Sequence, residues 1–173
     1  MKDVHVLYKL VILYLLNKVD FALSNGQLCA FIAEEEYTDY FTVQQVLSEM
    51  IESGLLRTSV VRNTTLYEMT EMGHDTLEYF GADISQGIRD DVDAYLKKNK
   101  MKLRNENAVI ADYQKLAEDE YVAHLRVKEK ETVLIDLSLN VPTEQQAIVI
   151  CDQWQKKNVE IYGYLMKELL KNR

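Results

Sequence analysis

Between Val43 and Gly54 the chain carries the pattern that most limits how it can fold. Val43, Val46, Leu47, Met50 and Ile51 stand at i, i+3, i+4, i+7 and i+8, and a glycine follows. That spacing gathers five apolar side chains on one face of a helix running from about Asp39 to Ser53. Gly54 supplies the left-handed residue that closes such a helix, and Leu55 can fold back over its last turn. A helix with a single apolar stripe must lie against neighbours, and the flanking sequence names them. Upstream, Ser24-Asn25-Gly26-Gln27 reads as a capping box that opens a short helix through Leu28, Phe31 and Ile32 to about Glu35. After Glu36-Tyr37-Thr38, Thr38 is placed to cap the next helix, with Asp39 favourable at its positive end. Downstream, Leu56 to Val61 and Thr65 to Met69 are strand-like around Arg62-Asn63-Thr64, a turn in which Asn tolerates positive φ. Thr70 then caps a further helix from Glu71 to Phe80.

Ahead of these elements, Val4 to Asn17 reads as a helix apolar on most sides, more than one small domain is expected to cover. Helix, helix-turn-helix, two-stranded hairpin, helix is the order of a winged helix. Residues 43–80 also resemble the MarR and PadR types of bacterial transcriptional regulator. The matching pieces are Val46-Leu47, then Glu52-Ser53-Gly54-Leu55-Leu56, then Tyr67-Glu68-Met69-Thr70-Glu71-Met72-Gly73. In its whole-chain character the sequence resembles a family of uncharacterised bacterial proteins with an N-terminal winged helix. The resemblance implies a DNA-binding fold over just under half the chain; winged helices also serve as protein-docking modules, so it does not fix the function.

The second half changes style. Ile84, Ile88, Val92, Tyr95 and Leu96 suggest a linking helix. Strand-like runs follow at Ala108 to Lys115, Tyr121 to Lys128 and Thr132 to Val141, the last alternating as a half-buried strand should. Pro142 ends the sheet, Thr143 and Gln146 form another capping box, and two helices are expected, one through Trp154 and one from about Val159 to Lys171. The fold class is therefore α+β: a winged helix-turn-helix over 1–80, then over 81–173 a linking helix, a three-stranded antiparallel sheet and two packed helices.

If the first domain binds DNA, position makes the helix at 39–53 the recognition helix and 56–69 the wing. The expected contacts are Thr38, Tyr40, Phe41, Thr42, Gln44, Gln45 and Ser48 from the helix, with Arg57, Arg62, Asn63 and Thr64 from the wing. Glutamine can pair with adenine through two hydrogen bonds, an aromatic ring can lie on a thymine methyl, and arginine suits phosphate. Charge opposes this reading. Residues 1–80 carry five basic and twelve acidic residues, net −7, against −1 for the remainder, whereas nucleic-acid binders usually carry the opposite sign. The alternative is a protein-interaction module whose acidic surface meets a basic partner.

Other chemistry finds little footing. His5, His74 and His124 have no second ligand at metal spacing, Asp90, Asp91 and Asp93 lack a calcium loop, and there is neither a nucleophile elbow nor a phosphate-cradling glycine loop. No enzyme, metal or cofactor is expected. Cys29 and Cys151 read as buried thiols of a reducing cytoplasm. The apolar run at 10–16 is too short for a bilayer and lacks a good cleavage site, so the expected location is cytoplasmic. The first helix and the stretch Val159, Ile161, Tyr162, Leu165, Met166, Leu169 offer apolar surface for a homodimer. Tyr113, Tyr121, Trp154, Tyr162 and Tyr164 could line a pocket for a small-molecule effector.

Overall fold

A computed structural model describes residues 3–61, 64–129 and 132–172. It is α+β, with helices and two small antiparallel sheets, and it divides into two compact units, 1–107 and 108–173. Among the described residues no helix is long and apolar enough to cross a membrane.

The first unit is built around α1 (Val4–Lys18), whose seven successive residues Leu10 to Leu16 are all buried. Burial on every side is possible because α3 (Tyr40–Glu52), α4 (Glu71–Phe80) and β3 (Thr64–Met69) all pack against it. These central turns therefore need no second subunit to cover them, contrary to the sequence expectation; Val4 and Val6 are exposed. Then comes β1 (Leu23–Ser24), two residues that the sequence pattern does not reveal. It pairs with β3, Leu23 opposite Tyr67 and Ser24 opposite Leu66, in a sheet of order β1-β3-β2 whose far strand β2 is Leu56–Val61.

Ser24 also caps α2 (Asn25–Glu34), and the capping box is complete. The hydroxyl accepts from the Gln27 N–H at 3.1 Å, and the Gln27 side chain accepts from the Ser24 N–H at 2.9 Å. The cap of α3 (Tyr40–Glu52) is Asp39, not Thr38. Its carboxylate accepts from the Thr42 N–H at 2.8 Å; a charged acceptor at the positive end of a helix outcompetes a hydroxyl one residue earlier. These hydrogen bonds hold the Asp39 carboxyl below its ordinary range.

At the far end of α3, the Gly54 N–H donates to the Ile51 carbonyl (3.1 Å) and the Leu55 N–H to the Met50 carbonyl (2.9 Å). This Schellman closure needs a left-handed residue, and Gly54 has φ +78°. The chain continues through β2 (Leu56–Val61) and β3 (Thr64–Met69), antiparallel from Leu56–Met69 to Val61–Thr64, into α4 (Glu71–Phe80), capped by Thr70. Gly73 lets α4 sit on the Leu55 backbone: a Cβ there would lie 2.3 Å from the Leu55 carbonyl oxygen.

α5 (Gln86–Ala108) belongs with this unit, so the units meet at 107/108 and not at the expected 80/81. Val92, Tyr95, Leu96 and Leu103 join the same core, and Tyr95 meets Phe31 edge-on at 4.9 Å. Arg89 anchors the start of α5 by donating to the Gly81 and Ile84 carbonyls, with its guanidinium over the Tyr14 ring. Near the other end, buried Gln27 donates to the Leu103 carbonyl (3.3 Å) and the Glu106 carboxylate (2.6 Å), while its own oxygen also accepts from Asn107 (2.6 Å).

The second unit is the meander β4 (Val109–Ala117), β5 (Glu120–Glu129) and β6 (Thr132–Val141), with α6 (Glu144–Leu169) on one face. Ala111 and Ala123 leave room for Trp154, 1% exposed, which packs with Leu125 and Cys151 and donates to the Arg126 carbonyl at 3.2 Å. On β6 only Ile135, Leu137 and Val141 are half-buried, and Val133 and Leu139 stay exposed. The capping box at Thr143 is half formed. The hydroxyl accepts from the Gln146 N–H but donates to the Gln146 side-chain oxygen, which does not return to the backbone. The two expected helices are one helix of 26 residues. Asn158, which interrupts the apolar run, is buried and folds its amide back onto the Trp154 and Gln155 carbonyls at 2.9 and 3.2 Å, so it continues the helix.

Candidate nucleic-acid interface

The helix α3 buries Val43, Val46, Leu47 and Met50 and turns the opposite side to solvent. Phe41, Gln45, Ser48 and Glu52, at i, i+4, i+7 and i+11, form one exposed stripe. Phe41 is 82% exposed, and its ring meets that of exposed Tyr40 edge-on at 5.7 Å. A bare aromatic pair at the start of a helix contributes nothing to the core of this unit.

The other expected residues divide. Thr38 and Thr42 are half-buried. Gln44 faces inward, where its amide nitrogen donates to the Asn25 side chain (2.9 Å) and to the Cys29 sulfur (3.3 Å). Its oxygen accepts from Asn25 (2.8 Å), which also donates to the Tyr67 hydroxyl (3.1 Å). Gln44 thus links α2, α3 and β3, and its expected place on the outer contact face is corrected. Burial raises the Cys29 thiol above its ordinary range, and the Gln44 hydrogen bond partly offsets this. Gln45 remains outward, within 3.4 Å of Glu49. Arg57 is exposed on β2 and paired with Glu68 across the hairpin at 2.8 Å, and Thr64 is exposed. Arg62 and Asn63 lie outside the described residues.

The charge on this unit is not spread evenly. Glu49 is paired with Lys9 at 2.8 Å and lies 3.8 Å from His5; the Lys9 ammonium foremost holds its carboxyl below the ordinary range. Asp91 accepts from the Tyr37 hydroxyl at 2.6 Å, and Asp93 lies 3.7 Å from Lys18. By contrast, Lys97, Lys98, Lys100, Lys102 and Arg104 cluster in the second half of α5 with no ion pair among the described residues, the four lysines exposed. Sequence totals taken over halves of the chain hide this run, although its spacing alone would have shown it. Of this run, Lys102 lines a cavity of ≈ 320 Å³ with Ser24, Gly26 and Asn99 beside the start of α2, where Gln27 joins α5.

The remaining expectations are met unevenly. His74, Asp75 and Glu78 on exposed α4 bring one ligand atom each within 4.8 Å of one another, so His74 does have neighbours within metal reach. All three are exposed, a grouping that solvated helix faces form without an ion. Cys29 is half-buried and Cys151 buried. Trp154 is core and not the wall of an aromatic pocket. A cavity of ≈ 340 Å³ in this unit is lined instead by Val141, Gln145, Gln146, Val149 and Ile150.

No curated protein and no solved structure matches the chain. A family model described as Domain of unknown function (DUF4364) matches residues 8–169, across both units. The chain belongs to this DUF4364 family.

Proposed function

We propose that residues 1–107 form a winged-helix module that binds double-stranded DNA as part of a transcriptional regulator. In this reading α3 enters the major groove and the β2–β3 hairpin is the wing. The observation that carries it is the outward stripe of α3. Phe41 and Tyr40 stand ready to lie on thymine methyls, and Gln45 and Ser48 to reach base edges, on a helix whose other face is fixed by the core. The element order and the short β1 completing the hairpin sheet support the same reading. Phosphate contacts fall to Arg57, Thr64 and the cations of α5, of which Lys102 lies beside the first turn of α2.

The test is an anisotropy titration against duplexes selected from random sequence, repeated over a salt series. Phe41→Ala with Gln45→Ala should weaken binding to the selected site at least tenfold, by removing base contacts worth roughly 1–3 kcal/mol each. Replacing Lys97, Lys98 and Lys100 by alanine should weaken selected and unrelated duplexes alike. It should also flatten the log–log salt dependence by about 0.9 for each phosphate left without its lysine. No binding to any selected duplex at low salt would overturn the proposal. The rival reading, a protein-docking module, draws on the acidic excess: residues 1–107 hold eleven basic and seventeen acidic residues. A basic protein partner bound through Phe41, with no DNA bound, would favour that reading.

A further inference from the structure

α6 changes character part-way along its length. Over its first four turns the outward positions are mostly polar, among them Gln145, Asp152, Gln153, Lys156 and Lys157, with Val149 the apolar exception. Beyond buried Asn158 apolar residues join exposed Glu160, Lys167 and Glu168: Val159 is 80% exposed, Leu169 77% and Leu170 70%, with Met166 also exposed. Val159, Gly163, Met166 and Leu170 recur at i, i+4, i+7 and i+11, a straight stripe on the side of the helix away from Trp154 and Ile161.

Gly163 is the second, independent observation. A glycine inside a helix is disfavoured relative to alanine unless something uses the missing side chain. Gly73 is used in this way, because a Cβ would strike the Leu55 backbone. A Cβ on Gly163 would meet nothing within 4 Å. The space above Gly163 is therefore open on a face whose neighbours are apolar, which suits the close approach of another helix.

We propose that the last three turns of α6 form a two-fold helix–helix contact between two copies of this chain, antiparallel and crossing at Gly163. The surface is self-complementary in that arrangement. Positions equally far on either side of the crossing face each other, so Val159 of one copy lies between Met166 and Leu170 of the other. Glu160 and Lys167, which flank the stripe on the same edge, come beside Lys167 and Glu160 of the partner subunit. Val159 to Leu169 is about 16 Å of helix, with Leu170 at its C-cap, and the apolar stripe can cover roughly 400–500 Å² per copy. That is below the ~800 Å² per partner of a standard stable complex, so the dimer is weak and reversible.

The experiment is sedimentation equilibrium of the full chain from about 5 to 300 μM, with far-UV circular dichroism as a fold control. The wild type should move reversibly from 20.1 kDa to about twice that mass. Gly163→Leu, placed in open space within the single chain, should keep the helical signal and stay monomeric. Glu160→Lys should weaken the dimer about tenfold, and adding Lys167→Glu should restore it. A wild type that is monomeric throughout, a dimer that Gly163→Leu leaves intact, or a charge swap that does not restore association would each overturn the proposal. Tyr79→Glu, on an exposed apolar part of α4, should have no effect; loss of the dimer in that variant would place the interface elsewhere.

Discussion

Gln27 makes a demanding test of why α5 belongs to the first unit. Its amide is almost fully buried, and both ends are used: the nitrogen donates to Leu103 and Glu106, and the oxygen accepts from Ser24 and Asn107. Gln27→Glu keeps the shape and replaces the donating nitrogen by an acceptor facing a carbonyl and a carboxylate. Removing two donor bonds costs about 2 kcal/mol net. Repulsion from Glu106, damped because Glu106 is exposed, adds roughly 1–2 kcal/mol. The total at pH 7 is about 3–4 kcal/mol. The introduced carboxyl has a folded-state pKa raised above its unfolded value of about 4.3. The repulsive part is therefore absent below about pH 4, grows as pH rises through the folded pKa, and is complete by about pH 7. At low pH the protonated acid can also donate once more to Glu106, which leaves a penalty of about 1 kcal/mol. Urea unfolding followed by circular dichroism at 222 nm reports mainly on the first unit, which holds five of the six α-helices, whereas Trp154 reports on the second. A Gln27→Glu penalty below 0.5 kcal/mol at pH 7, or one that does not change between pH 4 and 7, would refute the assignment.

Gly73→Ala and Gly54→Ala should differ in size for a stated reason. The Cβ at 73 would lie 2.3 Å from the Leu55 oxygen and 2.8 Å from the Met69 Cγ. α4 must move, at a cost of roughly 3 kcal/mol, whereas at 54 the left-handed φ costs about 1–2 kcal/mol. Thermal unfolding that reverses this order would contradict the packing described. Tyr37→Phe removes the hydroxyl that donates to Asp91, for a loss of about 1.5 kcal/mol in urea unfolding. Burial first, and then Asp91, push the Tyr37 hydroxyl above its ordinary range. Its contribution is thus full below about pH 10 and is lost only as pH rises through the higher folded value. The Tyr37→Phe penalty should accordingly be flat from about pH 6 to 9, and a penalty that fades within that window would count against the hydrogen bond.

What could be read in the sequence was local. Ser24–Gln27, Gly54 and Thr70 act within three or four residues of themselves, so their chemistry declares the helix ends directly. β1 stayed hidden because two residues carry no periodicity and become a strand only by meeting Tyr67 and Leu66. The break expected before Val159 failed for the same kind of reason, since Asn158 satisfies its amide on the helix's own carbonyls. The candidate site shows the limit most clearly. Gln44 and Gln45 are chemically identical and adjacent, and both lie off the main apolar stripe. Only the position of Asn25 and Cys29, on another helix, sends one inward and leaves the other on the outer face beside Glu49.

The net charge of the first unit bears on DNA binding only through the acids near the proposed contact face. Glu49 is matched by Lys9, Glu68 by Arg57, and Asp39 is held at the start of α3. Glu52 is different: it lies on the outward stripe of α3 with no ion pair among the described residues. At about 10 mM salt each phosphate about 8–10 Å away across water is repelled by roughly 0.3–0.4 kcal/mol, so the two nearest together contribute about 0.6–0.8 kcal/mol. Glu52→Gln should therefore tighten DNA binding about two- to fourfold, equally on selected and unrelated duplexes, with little change in stability. If α3 docks on a basic protein instead, the same change removes an attraction and weakens binding by a similar factor. The anisotropy and partner-binding assays thus read opposite signs from one substitution, and an unchanged DNA affinity would mean that the outward face of α3 does not approach the duplex.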